Sequence, residues 1–327
     1  MQSSQKNTLN DIYKKISSVV PEIEWKVHAP LIEKINKLKK DKNAVILAHN
    51  YQTPEIYHGV ADISADSLAL AVEASKTKAD IIVLCGVHFM AETAKLMNPE
   101  KKVLIPDMSA GCSLASSITG EDVRMLKEKY PGVPVVSYVN TSAEVKAETD
   151  ICCTSANAVK VVESLGVDKV IFLPDHYLAN YVQKNTKVKI ISWQGTCIVH
   201  EKFTAKEIED IRKENPDIKI IAHPECPPDV ISASDFAGST SNMVEYVKEN
   251  QPKKVLLVTE CTMSDNVQVE NPNVKFIKPC NLCPYMNKIT LQKIYDCLEK
   301  ESNEIKISHN IAAMARKSVQ RMTAIGR

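Results

Sequence analysis

Glycine is scarce in this chain, nine of 327 residues, and neither a G-x-G-x-x-G nor a G-x-x-x-x-G-K-[ST] run occurs. Both devices use glycine to let backbone approach a phosphate, so their absence argues against nicotinamide and nucleoside triphosphate cofactors. Net charge is equally small, +1 at pH 7, which gives nucleic acid or an anionic membrane no electrostatic reason to bind. No apolar run approaches the roughly 18 residues needed to span a bilayer. The opening Met-Gln-Ser-Ser-Gln-Lys-Asn lacks the apolar core of a signal peptide. The expectation is a cytoplasmic protein. Hydrophobic content of 44% and charged content of 25% are those of an ordinary globular chain with ample core.

Cysteine, by contrast, is plentiful. In a cytoplasmic protein ten cysteines are expected to be reduced, and metal ligation or catalysis explains them better than a disulfide framework does. Three of them, Cys112, Cys197 and Cys283, are 85 and 86 residues apart. Each third of the chain also carries three short apolar, largely β-branched runs in one order. The first runs are Val45-Ile46-Leu47, Val135-Val136-Ser137 and Ile220-Ile221-Ala222. The second are Ile81-Ile82-Val83-Leu84, Val170-Ile171-Phe172-Leu173 and Val255-Leu256-Leu257-Val258. The third, just before the cysteines, are Val103-Leu104-Ile105, Ile190-Ile191-Ser192 and Val274-Lys275-Phe276. Runs of this kind read as buried parallel strands, and a period of this length marks a repeated unit.

Stretches with apolar residues at helical spacing, 68–74, 158–165 and 243–247, lie between the runs. Strand–helix alternation implies right-handed crossovers and parallel sheets covered on both faces. The expected fold is therefore α/β: three pseudo-threefold-related, three-layer αβα domains with parallel sheets, converging on a central site built by loops at the carboxyl ends of the strands. A helical lead-in is expected over residues 1–42, with repeats over 43–130, 131–217 and 218–304. The C-terminal segment, 305–327, is expected to pack on the first repeat.

Three thiolates brought together would hold a [4Fe–4S] cluster and leave one iron without a protein ligand. An iron open in this way serves as a Lewis acid in dehydration. Cys280-Asn281-Leu282-Cys283 has the spacing of half a zinc knuckle, but adjacent Cys152-Cys153 cannot supply the other half. Cys85, Cys226, Cys261 and Cys297 occupy other repeat positions and read as inert thiols, since free cysteine behaves as a small hydrophobe. Cys280 either pairs with Cys283 as a redox switch or lines the site.

The first-strand ends carry His49-Asn50-Tyr51, Tyr138-Val139-Asn140 and His223-Pro224-Glu225. Titratable or hydrogen-bonding groups thus recur at one location, which suits acid–base work on a small polar substrate. Hydroxyls precede the next helices: Ser64 and Ser67, Thr154 and Ser155, then Ser239, Thr240 and Ser241. They suit helix capping and, where helix N-termini converge, anion binding. Convergence would select a multiply anionic substrate.

In order along nearly the whole chain, several segments resemble the quinolinate synthase family. They are Ala48-His49-Asn50-Tyr51-Gln52, Gly86-Val87-His88-Phe89-Met90-Ala91-Glu92-Thr93-Ala94, Tyr138-Val139-Asn140-Thr141-Ser142-Ala143, Trp193-Gln194-Gly195-Thr196-Cys197-Ile198-Val199-His200-Glu201, His223-Pro224-Glu225, Gly238-Ser239-Thr240-Ser241 and Cys283-Pro284-Tyr285-Met286. The resemblance implies three α/β domains around a [4Fe–4S] cluster on Cys112, Cys197 and Cys283, with Cys280 a non-ligand. It implies substrate contacts from His49, Ser67, Tyr138, Asn140, Ser155, His200, His223, Glu225 and Thr240. Tyr51, His223 and Glu225 are the implied proton-moving groups. An extra residue near Tyr57-His58-Gly59, relative to shorter relatives, leaves Ser64 and Ser67 both open for the serine position. The implied reaction, in NAD biosynthesis, condenses iminoaspartate with dihydroxyacetone phosphate to quinolinate, phosphate and water, with an enzyme supplying iminoaspartate as a partner. Two other readings keep the cluster: a hydro-lyase of a small dicarboxylic acid, and a non-enzymatic redox sensor.

Overall fold

A computed structural model describes residues 8–326; residues 1–7 of the expected lead-in and Arg327 lie outside the described residues. Two helices, Leu9–Ile16 and Glu22–Asp41, come first among the described residues. The first starts on a capping box in which Thr8 and Asp11 satisfy each other's backbone N–H groups. Both turn apolar residues inward, among them Ile12, Ile16, Trp25, Ile32 and Ile35.

Three four-stranded sheets follow, and every pairing within them is parallel. The first holds β1 (Ala44–His49), β2 (Ile63–Ala65), β3 (Ile81–Cys85) and β4 (Lys102–Leu104). The second holds β5 (Val135–Tyr138), β6 (Ile151–Cys153), β7 (Lys169–Leu173) and β8 (Lys189–Ser192). The third holds β9 (Ile218–Ala222), β10 (Phe236–Ala237), β11 (Lys254–Val258) and β12 (Lys275–Ile277). Each runs in the order second, first, third, fourth strand. The central strands are buried on both faces, as their unbroken β-branched runs require.

Four strands per sheet, where the apolar runs predict three, is the main departure. The extra strands β2, β6 and β10 are two or three residues long, too short to show a period. Their marker is the residue before them. Asp62, Asp150 and Asp235 each accept, through Oδ2 at 2.8 Å, the N–H of a residue in the neighbouring first strand, Ile46, Val135 and Ile220.

The helix after each cysteine crosses to the next sheet. Val123 of Gly120–Lys129 packs with Val135, Ile171 and Leu173 of the second unit, and Ile208 of Ala205–Glu214 with Ile218, Ile220 and Val258 of the third. Leu291–Lys300 lies on Glu22–Asp41 and β3 of the first, closing the circle. The packing of these helices runs across the boundaries expected at residues 130, 217 and 304. The final helix, His309–Ile325, lies on the first unit and on the second as well. Arg316 Nε donates to Leu96 O at 2.6 Å and Ser318 Oγ to Lys146 O at 2.9 Å. No helix among the described residues is long and apolar enough to cross a membrane.

Candidate active site

Because parallel strands all point the same way, the carboxyl ends of the central strands deliver their loops to one place. There the three units enclose a single cavity. The first unit lines it with His49, Tyr51, Asp66, Ser67 and Cys112; the second with Tyr138, Asn140, Ser155, Cys197 and His200; the third with His223, Glu225, Thr240 and Cys283. Every site residue implied by the resemblance stands on this wall, whereas Asn50, Ser239 and Ser241 do not. Between the two open serines, Ser67 is the one that lines the cavity. Ser64 lies in β2, where its hydroxyl donates to Tyr57 O at 3.0 Å. The turn between them and Tyr51 needs Gly59, since a Cβ there would sit 2.2 Å from the Glu55 carbonyl oxygen.

The three cysteines share one backbone motif. Each carbonyl accepts the N–H four residues on: Ser116 at 3.0 Å, Glu201 at 3.0 Å and Asn287 at 3.1 Å. Each sulfur accepts N–H groups two and three residues on, from Leu114 and Ala115, Val199 and His200, and Tyr285 and Met286. A short 3₁₀ turn begins three residues after each cysteine. Threonine caps the crossing helix seven residues after each, at Thr119, Thr204 and Thr290. Loops from different units are also tied together, with Ser113 Oγ donating to Thr196 O at 3.1 Å and accepting from Ile198 N at 3.2 Å.

Burial pushes all three thiols up, Cys112 to about 12, so a thiolate here needs a cation beside it. Three sulfurs from three loops on one wall, each already receiving two N–H groups, fit a metal–sulfur centre. A second donor set, Cys197, His200 and Glu225, has its ligand atoms within 4.8 Å of one another. It shares Cys197 but lacks the threefold backbone motif, and its members already bond one another and Tyr138.

Cys261 and Cys280 form a disulfide, which corrects the expectation that Cys261 is an inert thiol; of the two roles left open for Cys280, a pairing with Cys283 and a place on the cavity wall, the structure shows neither. The loop leaving β12 folds back over the first turn of the helix Thr262–Glu270, and that long-range approach leaves no trace in a local Cys-x-x-Cys spacing. Cys85, Cys226 and Cys297 are buried free thiols, as expected. Cys152 also is buried, with its Sγ 3.4 Å from Ser318 Oγ beneath the final helix.

Acid–base groups cluster around Glu225. Its Oε1 accepts from Tyr138 OH at 2.6 Å, and its Oε2 is 2.9 Å from His200 Nδ1. Burial works against its charge, yet His200, His223 and Tyr138 together hold the carboxyl well below the usual range. Burial also lowers His223 to about 3 and His49 to about 4, so both are neutral bases at pH 7. The His200 and His223 rings stack at 4.8 Å, and Ser155 Oγ is 3.2 Å from His223 Nε2. Burial raises the Tyr51 and Tyr138 phenols, keeping them protonated.

Three contributors escaped sequence reasoning. Asp66 caps the helix Ser67–Lys76 and accepts from Ser241 Oγ at 2.5 Å, bridging the first and third units. Lys146, fully buried, donates to Val139 O at 2.8 Å and to Thr141 O, bracketing Asn140. Asn140 Oδ1 is left buried on the cavity wall without a partner among the described residues, an acceptor for a ligand. Thr259, just past β11, bonds both Tyr51 and His200. A lysine four residues beyond Ser142 in a helical pattern is the only local signal among these.

Among known proteins, a family model described as quinolinate synthetase A protein (NadA) matches residues 33–324. A quinolinate synthase of Sinorhizobium medicae (strain WSM419) is 60% identical over 95% of this chain and 87% of its own length. Quinolinate synthase 2 of Mesorhizobium japonicum is 58% identical over 96% of this chain and 97% of its own, and the quinolinate synthase of Xylella fastidiosa (strain 9a5c) is 63% identical over 90% and 87%. Three parallel-sheet units around one cysteine-lined cavity, with a family match over most of the length, place the chain in the quinolinate synthetase A family of enzymes.

Proposed function

We propose that this chain is a cytoplasmic quinolinate synthase. It would condense iminoaspartate with dihydroxyacetone phosphate, releasing phosphate and water, with a [4Fe–4S] cluster held by Cys112, Cys197 and Cys283. The observation that carries the reading is the threefold backbone motif at those cysteines, opening on a cavity that also holds the acid–base set. When bound, the cluster supplies an open Lewis-acidic iron, which assists loss of a hydroxyl.

The chain's own groups divide the remaining work. The substrates carry two carboxylates and a phosphate. The N-termini of the helices Ser67–Lys76 and Thr240–Asn250, with the hydroxyls of Ser67, Ser155 and Thr240, offer anion-binding positions. Asn140 offers its unpaired Oδ1 to the substrate's N–H or O–H. Glu225, held ionised, and neutral His223 accept protons as carbon–carbon bond formation with release of phosphate, imine closure with loss of one water and loss of a second water proceed. His49 fixes the substrate's polar end, and His200, whose ring nitrogens meet Glu225 and Thr259, packs beside it as part of the cavity wall. Tyr138 orients Glu225, and the protonated phenol of Tyr51 exchanges its proton at the cavity wall. A partner enzyme would supply iminoaspartate.

The test is anaerobic incubation of cluster-loaded protein with iminoaspartate and the triose phosphate, followed by chromatography for quinolinate. Quinolinate formed in proportion to enzyme is expected. Its absence while the cluster's visible absorption is intact would overturn the reading in favour of a hydro-lyase or a redox sensor.

A further inference from the structure

Thr259 contributes nothing to the cavity wall, yet its hydroxyl touches two groups that do. Its Oγ1 is 2.6 Å from Tyr51 OH and 2.9 Å from His200 Nε2, and the residue is fully buried. Tyr51 belongs to the first unit, His200 to the loop of the second and Thr259 to the third, so one hydroxyl joins side chains of all three.

A hydroxyl has one hydrogen to give and lone pairs with which to accept, so Thr259 can donate to one of these neighbours while accepting from the other. Removing the hydroxyl therefore takes a hydrogen-bond partner from the phenol and from the ring nitrogen at once. His200 carries the contact on to Glu225, whose Oε2 lies 2.9 Å from its Nδ1.

We infer that Thr259 is a positioning residue for the reaction: its hydroxyl ties the Tyr51 phenol to the His200 ring and so holds both in place at the edge of the cavity. The inference rests on the assignment of Tyr51 as a proton-handling group. Its own prediction is that the hydroxyl matters and the methyl does not.

Thr259→Val keeps the shape and removes the hydroxyl, whereas Thr259→Ser keeps the hydroxyl. Thr259→Val should lower kcat about 10–100-fold, the range for losing a group that orients an active one, with KM within about threefold. Thr259→Ser should stay within about threefold of wild type. In a Tyr51→Phe background Thr259→Val should add less than about twofold, because both changes remove one coupled unit. Full multiplication of the two effects, or a serine variant as slow as the valine one, would overturn the inference. Should the valine variant not fold, Thr259→Ala takes its place in the same cycle. Wild type is the control for the function itself: if it forms no quinolinate, that reading falls and the inference is judged by NMR alone. With ¹³Cζ-labelled tyrosine, the resonance missing from Tyr51→Phe should move in Thr259→Val and stay in Thr259→Ser. A resonance unmoved in both rejects the inference.

Discussion

The junction of the first two units and the junction of both with the third are built from different materials. One continuous apolar core runs through the first and second units and takes in Ala315, Val319 and Met322 of the final helix. The third sheet instead has two small clusters of its own, one on each face. Phe203, Ile208 and Tyr51 join these clusters from the other units, and hydrogen bonds add to them. Asn50 Nδ2 donates to Thr240 Oγ1 at 2.9 Å, Asn266 Nδ2 to Gln52 O at 2.7 Å, and Thr262 Oγ1 to Tyr51 O at 2.8 Å. Tyr138 and His200 reach Glu225 from the second unit. Apolar contact is non-directional and fixes units by volume, while hydrogen bonds fix side chains by angle. The polar junction is therefore also where proton chemistry is assembled.

Breaking the threefold cysteine motif should have the largest effect. Cys112→Ser, Cys197→Ser and Cys283→Ser should each abolish iron loading and turnover, read as iron per protein and visible absorption. Cys280→Ser should keep both while freeing the Cys261 thiol to alkylation; loss of iron there with retention in Cys283→Ser would mean the ligand register is wrong.

Within the polar junction, Glu225→Gln keeps the shape and removes the charge. Turnover should fall by about 10²–10⁴-fold, the contribution of a positioned acid or base, with cluster absorption unchanged. Loss of the absorption as well would show that Glu225 supports the centre rather than the chemistry.

The two junctions should separate under substitutions that leave the reacting groups alone. Met322→Ala in the apolar core should cost about 2–5 kcal/mol, seen as a lower melting temperature with KM preserved. Asn266→Ala leaves the carbonyls of Asn50 and Gln52 without a donor, at about 1–3 kcal/mol for each unsatisfied buried group. It should raise KM as well, because those carbonyls flank Tyr51. Equal effects on KM from the two variants would erase the distinction.

The smallest effect concerns Asp107, which ties the turn before Cys112 to the crossing helix through Lys293 at 2.7 Å and Ser109 N at 2.8 Å. Slight burial opposes its charge, but Lys293 and Ser109 hold the carboxyl at about 2. A folded pKa below the unfolded value, ~3.9, gives stability that is present above that value and lost as pH falls through the folded one. Asp107→Asn should therefore lower the melting temperature by about a degree or two near neutral pH, the modest effect of a solvent-screened pair. The difference should vanish at the acid end, and one that grew on acidification would reverse the assigned sign.

Much of this was legible in the sequence for definite reasons. Buried parallel strands need unbroken β-branched runs, so β1, β3, β5, β7, β9 and β11 announced themselves, and the repeat placed Cys112, Cys197 and Cys283 at equivalent ends. The resemblance supplied His200, which no local pattern singles out. The short strands β2, β6 and β10 escaped because two or three residues carry no period, although Asp62, Asp150 and Asp235 before them repeat 88 and 85 residues apart.

What the chain order determined by itself is therefore the repeating unit: strand, crossover and cysteine turn, each set by contacts within one third of the length. Only the tertiary structure decided which pieces belong together across that length. It sent each post-cysteine helix to the neighbouring sheet, laid the final helix over two units, and joined Cys261 to Cys280. It also set Thr259 between Tyr51 and His200. The reason is separation along the chain: a spacing or a period reports neighbours a few residues apart. Tyr51 and Thr259, 208 residues apart, become neighbours only once three sheets have closed around one cavity.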